Sequence, residues 1–259
     1  MLRLLLPMTL LALAACALAP SRAGLPLPWD QSRQAVVVST AGWDEDHGML
    51  RRFVRDDVGG WQPVGEARPV MIGRNGSGWG FGLNPAPDAA IAAGDPIKTE
   101  GDGRAPAGVF AIGTAFGYAA SAATALPYQA MDAGDWCIDV PDSPLYNRIV
   151  DSAEVGAAAV EGSTEPMRRD LHADGDQRYR LGFVVEHNPR ALPNAGSCIF
   201  AHLWKAPGTP TAGCTAMADD TMDELLDWLD PEAHPVFVLL PDDEYRLLHA
   251  AWRLPEPVR

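Results

Sequence analysis

The chain has little of what would place it quickly. Cysteine occurs four times in 259 residues, and neither Cys-x-x-Cys nor His-x-x-x-His spacing is found. The usual zinc frameworks are therefore missing. His187, Cys198, His202 and Cys214 make the best metal-ligand set the sequence offers, and without paired spacing no metal or other cofactor is expected. Positive charge is scarce: 20 Lys and Arg against 34 Asp and Glu give a formal net charge of −14. That balance excludes nucleic acid as a partner, because phosphate binding needs a basic face. No basic run follows the N-terminal segment, so no electrostatic membrane patch is expected either. No apolar run approaches the about 20 residues of a membrane span. The glycine-dense stretch 73–82 is not followed by Gly-Lys-Ser/Thr and makes no phosphate cradle. Internal repeats are absent too.

What is present is enough apolar material, 47% of residues, for one large core. The chain starts Met1-Leu2-Arg3 and continues in an apolar run from Leu4 to Ala15. One arginine and a short hydrophobic stretch are the features of a secretion signal. Leu13-Ala14-Ala15-Cys16 resembles a bacterial lipobox, in which the cysteine is acylated and becomes the first residue. The competing reading is ordinary cleavage after Ala17-Leu18-Ala19 or after Ala23, with Cys16 discarded. Both predict export, to the periplasm or cell envelope, and the first adds a lipid anchor as the sole membrane contact. The expected organisation is a signal over 1–15, a Pro/Gly-bearing tether over 16–33, one domain over 34–241 and a tail over 242–259.

Strands are expected at Val36-Val37-Val38, Leu50 to Arg55, Val70-Met71-Ile72, Val109 to Gly113, Tyr179 to Val185, Ser197 to Trp204 and Pro235 to Leu240. The alanine-rich stretch 119–125 fits a short helix or an irregular cover. Met222, Leu225, Leu226 and Leu229 fall at i, i+3, i+4 and i+7, which predicts one amphipathic helix. Its acidic residues, Asp220, Asp223, Glu224 and Asp227, are expected to face solvent. The chain is therefore mostly β.

The chemistry concentrates late in the sequence. Thr211-Ala212-Gly213-Cys214 is a small-residue turn ending in a cysteine, and His202 lies on a strand twelve residues upstream of the cysteine. An imidazole beside a thiol favours the thiolate, which is the attacking species. Gly213 lets the backbone bend and the substrate approach, and the turn amides of Gly213 and Cys214 would face an oxyanion. Alternation along Ser197–Trp204 puts His202 with Phe200 and Trp204, a setting that favours neutral imidazole. A buried structural cysteine beside an unrelated core histidine would give the same pattern. Export leaves Cys137, Cys198 and Cys214 as an odd set in an oxidising compartment. A Cys137–Cys198 disulfide with Cys214 free is one partition; three reduced, buried thiols is the other.

His202, a Pro/Gly-rich loop and Thr-x-Gly-Cys together resemble the active-site signature of the YkuD-type L,D-transpeptidases. The resemblance extends to Gly101-Asp102-Gly103-Arg104-Ala105-Pro106-Ala107-Gly108-Val109-Phe110, and to Trp136-Cys137-Ile138-Asp139 with Ser143-Pro144-Leu145-Tyr146-Asn147. It spans residues 95 to 241. Two departures stand out: Ala212 occupies the place of a second histidine, and the loop after His202 is short. The resemblance implies a β-sandwich of mixed sheets with short helices. It also implies acyl transfer on peptidoglycan stem peptides, with Cys214 as nucleophile and His202 as base. Thr211 then orients His202, lines the entrance or serves only as a turn hydroxyl. His187 stands in for the missing histidine or is a surface residue at a strand end. Arg168, Arg169 and Arg180 are candidate carboxylate forks or solvated arginines, and Tyr146 and Asn147 fix a loop near the site. Other readings are a cysteine hydrolase on the same scaffold (an L,D-carboxypeptidase or cross-link amidase) and a non-catalytic wall-associated lipoprotein. A papain-like protease is disfavoured, since there the cysteine precedes the histidine.

The lipobox reading predicts that Cys16→Ala releases the protein from the membrane fraction of cells. Unchanged membrane association in that variant rejects it.

Overall fold

The computed structural model describes residues 26–85 and 94–257. The expected signal over 1–15, Cys16 and the tether as far as residue 25 lie outside the described residues.

The fold is mostly β with a few short helices. Its strands are β1 (Gln34–Thr40), β2 (His47–Arg55), β3 (Trp61–Met71), β4 (Ser77–Trp79), β5 (Ala105–Gly117), β6 (Tyr128–Ala130), β7 (Asp135–Cys137), β8 (Ile149–Asp151), β9 (Glu165–Pro166), β10 (Leu181–Val185), β11 (Phe200–Leu203), β12 (Thr215–Met217) and β13 (Val236–Pro241). Two single-turn helices, α1 (Ser152–Val155) and α2 (Arg169–His172), precede the longer α3 (Asp219–Trp228) and α4 (Asp242–Leu248). The main sheet runs β10-β11-β12-β3-β2-β1-β13-β5, and β5 pairs again with β10. The sheet therefore closes into a barrel-like ring, which leaves these eight strands without free edges. Two of its pairings are parallel, β1 with β13 and β11 with β12.

Closure follows from the strand sequences. Every residue of β13 is buried, as a strand covered on both faces requires. Val36, Val38, Leu50, Phe53, Phe110, Phe183 and Phe237 form the core, and Met222, Leu225 and Leu226 of α3 pack against it. Glu224 on the outer face of α3 is not free in solvent: its carboxylate takes Arg52 at 3.1 Å and also Arg68. The stretch 119–125 is irregular, not helical.

A second, three-stranded sheet, β8-β7-β9, lies in the insertion between β6 and β10. A disulfide between Cys137 at the end of β7 and Cys198 just before β11 ties it to the barrel, with Cα atoms 5.9 Å apart.

Both expected ends of the domain are corrected by packing. Within the supposed tether, Trp29 is 1% exposed, and its indole N–H donates to the Trp252 carbonyl at 2.7 Å. Residues of the supposed tail complete the same cluster. Trp252 meets Trp29 edge-on at 5.7 Å, Tyr245 and Leu254 are buried, and the Tyr245 hydroxyl donates to the Pro255 carbonyl. Prolines beside Trp29 gave the first segment a linker-like composition, but the burial of Trp29, Tyr245 and Leu254 makes both segments part of the domain.

Trp29→Ala is expected to cost about 3–5 kcal/mol of stability, as for other large aromatic truncations in a core. A urea transition that does not move would show that the segment is dispensable.

Candidate active site

Parallel pairing of β11 with β12 sets Ala201 opposite Thr215 and His202 opposite Ala216. Cys214 thus lies level with Phe200, one pleat from His202 and on the same face of the sheet. The Phe200 N–H donates to Cys214 Sγ at 3.3 Å, and the thiol is 3.5 Å from the Cys198 carbonyl that accepts its proton. Cys214 is 8% exposed and is the free cysteine among the described residues.

The preceding turn is locked from two sides. The Thr211 hydroxyl donates to the Cys214 carbonyl at 2.7 Å and accepts the Gly213 N–H at 3.0 Å. Thr211 is thus a turn hydroxyl whose side chain is committed. Its backbone is pinned to the end of β3, with Thr211 N–H donating to the Ile72 carbonyl and Arg74 N–H donating to the Thr211 carbonyl. A Cβ on Gly213 would stand 2.9 Å from the Arg104 carbonyl oxygen, so this close approach requires glycine. The expected use of the Gly213 amide toward an oxyanion is corrected: Thr211 already occupies it. The Cys214 N–H makes no hydrogen bond among the described residues and remains available.

His202 is 2% exposed, and its Nδ1 lies 2.7 Å from the Leu203 carbonyl. A carbonyl only accepts, so Nδ1 carries the proton and the neutral ring keeps a bare lone pair on Nε2. Nε2 has no hydrogen-bond partner among the described residues, and His202 and Cys214 are not in hydrogen-bond contact. The Tyr179 ring packs edge-on against His202 at 5.1 Å and against Phe200 at 5.4 Å. Burial holds the His202 imidazolium back, with a pKa near 4, and the charges of Arg178 and Arg169 act in the same direction. Burial also pushes the Cys214 thiol up to about 12, and the Glu165 carboxylate adds to this. Both groups are neutral at pH 7.

Cys214 and His202 line one cavity of about 330 Å³ together with Thr211, Ala212 and Gly213. The insertion supplies Asp139, Thr164, Glu165 and Arg169 to its wall, and the loop before β5 supplies Lys98, Glu100 and Gly101. Arg169 bridges Glu165 and Asp176, each at 3.0 Å, and Arg178 also pairs with Asp176. Among the described residues, no group of three His, Cys, Asp or Glu side chains is placed to hold a metal ion.

His187 is not brought to this cavity. It is 2% exposed, its Nε2 donates to the Ala195 carbonyl at 2.9 Å, and its Nδ1 accepts the Phe81 N–H at 3.3 Å. With both nitrogens on backbone it has none left for substrate, and it is a core histidine, not a surface one. Arg168 is also elsewhere, forked onto Asp170 over the Tyr118 ring, and Arg180 pairs with Asp219. Tyr146 and Asn147 do hold the site's framework. The Tyr146 hydroxyl donates to Glu100, while Asn147 accepts the Cys198 N–H and donates to the carbonyls of His187 and Asn188.

Sequence reasoning passed over Lys98, Glu100, Glu165, Arg178 and Tyr179 as site residues. The one local signal was the charged run Lys98-Thr99-Glu100 ahead of Gly101-Asp102-Gly103, and charge in a loop is ordinarily solvated. Comparisons with protein-family models, with curated proteins and with solved structures found no match.

His187, like His202, is held near 4 by burial. Unfolding frees both to bind protons near 6.5, the ordinary histidine value. Stability from these two groups is complete above pH 6.5 and is lost as pH falls toward 4, because only the unfolded chain takes up protons in that window. Melting temperatures should drop from pH 6.5 to 4, with a shallower slope in His187→Gln. An identical slope in that variant would show that His187 does not titrate in this way.

Proposed function

We propose that the protein is a cysteine acyltransferase of the YkuD L,D-transpeptidase type, acting on peptidoglycan stem peptides in the cell envelope. One observation carries this reading: a thiol and an imidazole with a bare Nε2 stand one pleat apart on neighbouring parallel strands and open onto the same cavity. The Thr-x-Gly-Cys motif and the Gly101–Phe110 segment, which carry the resemblance, meet in space where Gly213 packs on the Arg104 carbonyl. On this reading the closed, barrel-like ring with its parallel and antiparallel pairings stands where the resemblance implies a β-sandwich of mixed sheets.

The resting thiol points its proton at Cys198, so the reaction begins when Sγ turns toward the substrate. Cys214 Sγ attacks the carbonyl at the third stem residue while His202 Nε2 takes the thiol proton. The Cys214 N–H donates to the developing oxyanion. Collapse expels the terminal D-amino acid as an amine, which receives the proton from His202, and leaves a thioester on Cys214. An acceptor amine then attacks the thioester, His202 removes its extra proton, and that proton returns to the departing sulfur. A neutral pair suits this sequence. Nε2 can accept a proton only while the ring is uncharged, and a neutral thiol is protected from alkylation between turnovers. Hydrolysis of the same thioester is the second reading. Ala212 favours it, since a methyl group lines the cavity where relatives of the implied family carry an imidazole.

Cys214→Ala should abolish turnover of tetrapeptide stems with little change in melting temperature, and His202→Gln should lower the rate roughly 10²–10⁴-fold. Mass spectrometry of the products separates transfer from hydrolysis. Full activity in purified Cys214→Ala protein sinks the assignment.

A further inference from the structure

Among the described residues six charged side chains line the cavity, and all but one have their charge or hydrogen-bonding capacity met within the protein. The Lys98 ammonium is 3% exposed and donates to Asp102 Oδ1 and the Thr99 carbonyl, each at 2.6 Å. Arg169 and Arg178 are paired with Glu165 and Asp176. Glu165 is thereby paired too. Asp139 has no cation partner, but its Oδ1 accepts from the Ser163 hydroxyl and the Thr164 N–H at 2.9 Å, and its Oδ2 accepts from the Thr164 hydroxyl.

Glu100 differs. Its Oε2 accepts from the Ser197 hydroxyl at 2.7 Å and from the Tyr146 hydroxyl, while Oε1 makes no hydrogen bond among the described residues. No Lys, Arg or His among them forms an ion pair with it. Lys98, two residues away, is turned toward Asp102 and leaves Glu100 unneutralised. Two hydroxyls on Oε2 fix the carboxylate's orientation, and Glu100 lines the cavity with Oε1 left over for a ligand.

We infer that Glu100 is the specificity-determining residue of this cavity and that its free oxygen binds a primary ammonium group of the substrate. A guanidinium fork needs two parallel acceptors, and only one oxygen is free here. An ammonium is a point charge with separate N–H donors, one of which suits a single oxygen. The inference rests on the acyl-transfer reading only for the source of the amine. Stem peptides carry one on the third residue's side chain in both acyl donor and acceptor.

Binding to the Cys214→Ala protein tests this without turnover. By calorimetry, a stem tetrapeptide with its side-chain amine intact should bind about ten-fold more tightly than the same peptide with that amine acetylated, the scale of one charge-assisted hydrogen bond. Glu100→Gln in the same protein keeps an oxygen for Tyr146 and Ser197 and should bring the two affinities together. Equal binding of the two peptides to the Cys214→Ala protein, or binding of neither, overturns the inference whether or not the Gln variant folds. So does discrimination that survives in a folded Glu100→Gln protein. With Cys214 restored, Glu100→Gln should raise KM for the tetrapeptide if the donor's amine is held. If the acceptor's amine is held, it should instead lower the ratio of transfer to hydrolysis. Amine discrimination without turnover removes the acyl-transfer reading and keeps the Glu100 site; turnover without discrimination does the reverse.

Discussion

Parallel strands cannot be joined by a tight hairpin; the chain has to cross over and return to the same end of the sheet. Between β11 and β12 that return is made by residues 204–214 with no helix. The loop is held by Trp204 N–H on the Met217 carbonyl and by the backbone of Thr211 on the end of β3. Because the pairing is parallel, the last residue of the loop reaches the sheet beside the first residue of β11. Cys214 is that last residue, and His202 is two residues further along its neighbour. This one pairing sets both groups on the wall of the same cavity.

The surroundings of the pair are apolar on one side and charged on the other. Phe200 and Tyr179 pack around His202 and exclude water, which keeps imidazole and thiol neutral. Arg169, Arg178, Glu165 and Asp176 form a compensated network across the cavity, with Asp176 held ionised: burial opposes its charge, and hydrogen bonds from Arg178 and Arg169 more than offset that cost. A network whose members satisfy one another shapes the wall without offering a strong ionic grip of its own.

Much of that wall belongs to the insertion between β6 and β10, not to the barrel. A small three-stranded sheet has little core, and the Cys137–Cys198 bond fastens it next to the strand that bears His202. Cys198 also has a left-handed backbone (φ 55°), and its N–H is held by Asn147. Strain of this kind in a non-glycine residue persists only where several contacts determine the conformation together. Here a disulfide, a side-chain hydrogen bond and the Cys214 thiol all converge on one residue.

The sequence by itself determined the β-rich character, the positions of β1, β2, β10, β11 and β13, and the helix α3. Their apolar periodicities are local properties that burial then respects. It also placed Cys214 and His202 on one candidate site, because a glycine before the thiol and alternation along one strand are readable at short range. Tertiary structure alone decided the rest. Ring closure depends on β5 pairing with β10, residues far apart in the chain that carry no mark of each other. Trp29 and Trp252 are distant in sequence, so neither flanking segment could be seen as core until the two rings met. His187 and Glu100 show the same limit at the site. Each sits in a short polar run, and only the surrounding backbone and hydroxyls make one a saturated core residue and the other a carboxylate with a free oxygen. Hydrogen-bond saturation is a property of three-dimensional neighbours, and spacing along a chain does not encode it.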